Sequence, residues 1–125
     1  ATVGNIAFLN HLVETPAYFF QFGFDETNLS EEDKQYLSTI VELLTAHKQI
    51  KVTVTGHTDD TGSSGYNSIL AKERALLVAN YFLTQNINPR QIEVISEGEH
   101  QPRASNATTE GRAKNRRVEV MLNFY

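Results

Sequence analysis

The stretch Ile50-Lys51-Val52-Thr53-Val54-Thr55-Gly56-His57-Thr58-Asp59-Asp60 sets the frame for the rest of the chain. Ile50, Val52 and Val54 alternate with Lys51, Thr53 and Thr55, so one side of an extended segment is apolar and the other polar, as in a half-buried strand. Gly56 is expected to stop that strand, and residues 57–65, rich in Thr, Asp, Ser and Gly, to form a loop. The period then changes. Over residues 66–85, Ala71, Ala75, Val78 and Phe82 recur at helical spacing, which predicts a helix with one core-facing stripe, ended by Asn88-Pro89. A short strand over 92–96 and a polar loop over 97–108 are expected next. Thr109 then reads as the cap of a short helix reaching Lys114, before a final strand in which Val118, Val120, Leu122 and Phe124 alternate with Glu119, Met121, Asn123 and Tyr125.

Upstream of the opening stretch, Ser30 reads as a helix N-cap with Asp33 at the third helical position. Tyr36, Leu37, Ile40, Val41 and Leu44 supply an apolar stripe to about His47. Residues 17–22 alternate Tyr18, Phe20 and Phe22 on one side and suit a strand, with Gly23, Asp25 and Asn28 marking the loop after it. Residues 1–16, ending at Pro16, read as a lead-in segment with one short helix around residues 6–13. The order strand, helix, strand, helix, strand, short helix, strand predicts an α+β two-layer sandwich, βαβαβ(α)β, with helices on one face of a mixed four-stranded sheet. Residues 17–125 form the expected domain.

Composition narrows the function. A chain of 125 residues with 40% hydrophobic content supports one core and one domain. No apolar run approaches the ~20 residues that span a bilayer, so membrane contact is expected only through parts of a longer protein. Ala1-Thr2-Val3-Gly4 carries no basic region followed by an apolar one, so any export signal or anchor is expected to lie outside these residues. The absence of cysteine removes disulfides, thiolate chemistry and Cys-based zinc sites. The net charge of -4 argues against a nucleic-acid partner, although Arg112, Lys114, Arg116 and Arg117 cluster late in the chain.

Chemistry concentrates in Gly56-His57-Thr58-Asp59-Asp60-Thr61-Gly62 and in the helix after it, which carries Tyr66-Asn67, Leu70 and Arg74-Ala75. Asn67, Leu70 and Arg74 share one helix face. Asp59 lies at the C-terminal end of a strand and Arg74 two turns into the next helix, which brings both side chains to the same rim. A carboxylate and a guanidinium there form either a structural salt bridge or a cradle for a zwitterion. In the second case Asp accepts from an ammonium and Arg donates a planar fork to a carboxylate.

These residues resemble the OmpA-like domains, which include peptidoglycan-associated lipoprotein and the wall-binding parts of flagellar stator and ring proteins. The resemblance is carried by Phe22-Gly23-Phe24-Asp25, Gly56-His57-Thr58-Asp59 with Gly62, Tyr66-Asn67, Leu70, Arg74-Ala75, Asn106, Gly111-Arg112 and Asn115-Arg116-Arg117-Val118-Glu119. It implies non-covalent binding of peptidoglycan through the diaminopimelate of the stem peptide, in the periplasm, with neither catalysis nor cofactor. By the same resemblance Asp59 and Arg74 match the two principal ligand residues, with Phe24, Asp25, Thr58, Asn67, Leu70 and Arg116 completing the pocket. An envelope anchor and a flagellar-motor anchor are both compatible with it. One departure is Ala71, where the family commonly has Ser.

Blander and rival readings stand beside these. His57 with Asp59 and Asp60 lacks the second ligand at helical spacing that a zinc site needs, which weakens a metal-assisted wall hydrolase. Ser63, Ser64 and the histidines form no nucleophile and base pattern that spacing supports. Strand alternation turns Arg116 to the side of Val118 and Val120, and Arg117 to the side of Glu119. A buried guanidinium must be paired, so Arg116 either anchors the loop or faces the ligand.

Overall fold

The computed structural model describes the backbone of residues 18–21 and residues 29–123 in full. The expected helix around residues 6–13, the pocket residues Phe24 and Asp25, and Phe124 lie outside the described residues. In chain order the elements are β1 (Tyr18–Gln21), α1 (Glu31–Ala46), β2 (Lys51–His57), α2 (Ser64–Thr84), a 3-10 turn (Pro89–Gln91), β3 (Ile92–Gly98), α3 (Thr109–Asn115) and β4 (Arg117–Asn123).

The sheet runs β1-β4-β2-β3. β2 lies parallel to β3, with α2 as the crossover that a parallel pair requires, and antiparallel to β4. The architecture is α+β, with helices packed on a mixed sheet. β2, β3 and β4 make its body, seven residues each, and of the strand expected over 17–22 the described residues, Tyr18–Gln21, pair with β4. Val52 and Val54 of β2 and Val118, Val120 and Leu122 of β4 are buried with Leu37, Ile40 and Leu44 of α1 and Ala75, Val78 and Phe82 of α2. Burial of each large aliphatic or aromatic side chain contributes about 1.5–3 kcal/mol.

Local chemistry explains the boundaries. At the start of α1 the Ser30 hydroxyl accepts from the Asp33 N–H at 3.1 Å, and the Asp33 carboxylate accepts from the Ser30 N–H at 3.2 Å, which satisfies two donors a helix start would leave open. α2 begins two residues earlier than expected because the Ser63 hydroxyl caps it, accepting from the Tyr66 N–H. Thr108, not Thr109, caps α3, its hydroxyl accepting from the Gly111 N–H at 2.9 Å. Gly56 does not end β2, which continues to His57. Glycine is needed there for close approach instead, since a Cβ would sit 1.8 Å from the carbonyl oxygen of Ala71 in α2. That contact draws the first half of α2 onto the end of β2, where the candidate site lies.

Among the described residues no helix is long and apolar enough to cross a membrane.

Candidate functional site

The site is built at the C-terminal end of β2. His57, Thr58 and Asp59 are each 3% exposed, an unusual run of polar residues to bury. The first residue beyond the strand is still held in the sheet direction, because the Thr58 N–H donates to the Gly98 carbonyl at the end of β3. Asp59 then turns the chain. One carboxylate oxygen accepts from the Thr61 N–H at 2.9 Å, and the other from the Arg116 Nη1 at 2.9 Å. Burial raises the Asp59 carboxyl, but the Thr61 N–H and the Arg116 guanidinium outweigh it and hold the group below the ordinary carboxylate range.

From α2, Asn67 and Arg74 reach the same strand end. The Asn67 Nδ2 donates to the Asp59 carbonyl at 3.3 Å and to the Glu99 Oε1 at 3.2 Å. Arg74 has no exposed surface, and its Nη1 donates to the His57 carbonyl at 3.4 Å. Leu70, on the same helix face, is also buried, and Ala71 is fully so. The Thr58 hydroxyl is buried and finds no hydrogen-bond partner among the described residues.

The structure therefore gathers Thr58, Asp59, Asn67, Leu70 and Arg74 at one end of the sheet, with Arg116 entering from the junction of α3 and β4. The ion pair of Asp59 is made with Arg116, at 2.9 Å, which gives the Arg116 guanidinium the partner that its burial requires. Arg117, placed by alternation on the polar side of β4, is nonetheless buried. Its Nε donates to Glu119 at 2.7 Å and its Nη2 to the Gln101 carbonyl at 3.0 Å, so the loop after β3 covers a face that a two-layer fold would leave wet.

Three contributors escaped sequence reasoning. Glu99 holds Asn67. Asn115, fully buried, accepts from the N–H groups of Arg103 and Ala104 and donates to the Ala104 carbonyl and the Asn106 side chain, which fixes the loop before α3. Glu119 faces His57 across the open side of the sheet at 3.4 Å. Glu99 had no signal in the sequence, whereas Asn115 and Glu119 stood in the run Asn115-Arg116-Arg117-Val118-Glu119 that carries the resemblance, with no role assigned to either.

With this geometry in place, the comparison with known families is direct: the OmpA family profile matches residues 21–116. The chain belongs to the OmpA family. The peptidoglycan-binding protein ArfA of Mycobacterium tuberculosis (strain ATCC 25618 / H37Rv) is 42% identical over 102 residues, covering 82% of this chain and 31% of that protein. The chain thus spans about a third of the length of that relative. Among solved structures, the peptidoglycan-associated lipoprotein from Burkholderia pseudomallei superposes with a TM-score of 0.81 at 27% identity, over 84% of this chain and 89% of that one. The C-terminal domain of Helicobacter pylori MotB gives 0.76 at 28% identity, over 86% and 85%. In this OmpA-family domain the matched residues include the loop after β2 and α2, where the buried polar cluster lies.

Proposed function

We propose that this domain binds peptidoglycan without catalysis and anchors a longer envelope protein to the cell wall, taking hold of the diaminopimelate of the stem peptide. The observation that carries the proposal is the burial of Thr58, Asp59, Asn67 and Arg74 around one strand end, where packing alone would favour apolar side chains. A buried hydroxyl without a partner costs about 1–3 kcal/mol, so the Thr58 Oγ1 supports a guest with a polar group to offer. Diaminopimelate ends in an amine and a carboxylate on one carbon. Asp59 accepts from the ammonium and Arg74 donates its fork to the carboxylate, while Thr58, Asn67, Leu70 and Arg116 shape the pocket beside them. Phe24 and Asp25 are proposed as its further wall. Because Arg74 has no surface open to solvent, the loops over the strand end must part to admit the carboxylate. Arg116 already holds Asp59, so the incoming ammonium shares that carboxylate.

Two or three charge-assisted hydrogen bonds of about 1.5–3 kcal/mol each, less the entropy of holding a small ligand, give single-site affinity of roughly micromolar to millimolar. The wall offers many sites, and an anchored protein is retained by avidity. The periplasm is the compartment this activity requires. The similarity to the MotB C-terminal domain favours, as a second reading, the same wall contact made by a flagellar-motor protein.

The test is sedimentation with purified sacculi. Asp59→Asn and Arg74→Gln are each expected to abolish co-sedimentation while circular dichroism stays that of the parent domain. Excess free meso-diaminopimelate should release the parent domain and lysine should not. Retention of both variants on sacculi would refute the proposal.

A further inference from the structure

His57 is divided between the two sides of the sheet. Its carbonyl accepts from Arg74 of α2 on one side, and its ring, 4% exposed, meets Glu119 of β4 on the other. The β2–β3 register slips between Gly56 and His57, so the pairing is irregular on the β3 side, while on the β4 side His57 stays in register with Arg117. The ring contact is loose. His57 Nε2 stands 3.4 Å from the Glu119 Oε2, near enough for an ion pair but without hydrogen-bond geometry, and Nδ1 is buried without a partner among the described residues.

The same Glu119 oxygen accepts from Arg117 at 2.7 Å. Arg117 stands opposite His57 in the β2–β4 register and also donates to the Asn115 carbonyl, one residue before the Arg116 that holds Asp59. Two arms therefore leave one cluster: His57 to Arg74, and Arg117 through Asn115 and Arg116 to Asp59. The cluster borders a cavity of about 320 Å³ on the open face, to which β3 contributes Glu97 and the following loop Gln101 and Arg103. Its fixed charges are two carboxylates, Glu97 and Glu119, and two guanidiniums, Arg103 and Arg117. Among side chains in general, histidine is the one whose ordinary charge change falls near neutral pH.

We propose that His57, Glu119 and Arg117 form a positioning relay beneath the binding loop, through which protonation of the His57 ring tightens the site and strengthens wall binding at acid pH. Protonation turns the loose His57–Glu119 contact into an ion pair, draws the end of β2 toward β4, and fixes the carbonyl that orients Arg74. His57 touches no ligand in this scheme; it acts through Arg74. The inference rests on the wall-binding function proposed above.

The experiment has two readouts on the whole domain. In the first, binding of a soluble diaminopimelate-containing muropeptide is measured by calorimetry at pH 5.5, 6.5, 7.5 and 8.0 for the parent, His57→Gln and Glu119→Gln. Parent affinity should fall roughly fivefold from the acid to the basic end, the difference between a charge-assisted and a neutral hydrogen bond. Both variants should be flat within about twofold, on the same reasoning. A slope that survives in His57→Gln comes from elsewhere and overturns the relay. In the second, nitrogen NMR follows the His57 ring and the Arg74 side chain in the domain alone. Arg74 should titrate with the ring, and an Arg74 signal that stays fixed while His57 titrates overturns the relay without reference to any ligand. If Arg74 follows His57 but no muropeptide binds at any pH, the wall-binding function fails while the coupling within the site stands, and the relay's stated effect on wall binding is overturned with it.

Discussion

Asn115→Ala isolates how much of the site depends on one buried amide. Asn115 is fully buried at the end of α3 and makes four hydrogen bonds: two accepted from the N–H groups of Arg103 and Ala104, at 2.7 and 2.9 Å, and two donated, to the Ala104 carbonyl at 2.9 Å and the Asn106 Oδ1 at 2.7 Å. A net hydrogen bond is worth about 1 kcal/mol, and a buried partner left open costs about 1–3 kcal/mol. Because the loop groups are only part-buried, water recovers some of the loss, and the expected destabilisation is about 3 kcal/mol. Asn115→Asp should do little better. It keeps the acceptor for two N–H groups but sets a carboxylate against the Ala104 carbonyl and the Asn106 oxygen. Urea denaturation followed by circular dichroism measures both variants, and for a chain of this length a fall of that size lowers the melting temperature by roughly 12 °C, at about 4 °C per kcal/mol. If Asn115→Ala unfolds within about 0.5 kcal/mol of the parent, the spread typical of an uninvolved surface position, the claim that this amide fixes the loop is wrong.

Gly56→Ala should destabilise the domain by about 3 kcal/mol or more, because the new methyl meets the backbone of Ala71, whereas Gly65→Ala, with nothing within 4 Å, should be neutral or stabilising by up to about 1 kcal/mol; a melting pair tests this. His57 beside it, against the opposing effect of burial and with help from Arg117, pulls the Glu119 carboxyl from 4.5 to about 2. A carboxyl depressed by folding contributes stability above its unfolded pKa that is lost as pH falls through the folded value. Glu119→Gln should therefore remove up to about 3 kcal/mol at neutral pH and flatten the acid loss between pH 4.5 and 2, as read from urea midpoints across that range. Arg74→Lys should weaken sacculus binding at least about tenfold, since an ammonium cannot reproduce the planar fork, and parent-like sedimentation would count against a bidentate carboxylate contact.

Much of the fold was legible because its signals are local. The alternation from Ile50 to Thr55, the Ser30 and Asp33 cap, and the stripe of Ala71, Ala75, Val78 and Phe82 each depend on neighbours within a turn or two. What was misjudged depends on contacts distant in sequence. Gly56 reads as a strand stop until Ala71 is seen lying against it. Arg117 reads as solvent-facing until the Gln101 loop closes over it. For the site, the placement of Asp59, Asn67 and Arg74 at one rim followed from strand and helix periods and Thr58 was added by the family resemblance, but the partner of Asp59 did not follow from either. Arg116 lies 57 residues away in sequence, and it caps α3 ahead of β4, so the alternation that turned it to the side of Val118 and Val120 does not govern it.

The sheet order leaves β3 with a neighbour on one side only among the described residues. A naked strand margin is a template on which other chains polymerise. Here it bears Glu93, exposed, and Glu97, half-buried, on either side of Ile95. A copy laid antiparallel about Ile95 would set each glutamate opposite its counterpart, and mutual repulsion would peel the two strands apart. The domain thus carries its own guard against fibril formation on the flank remote from β1.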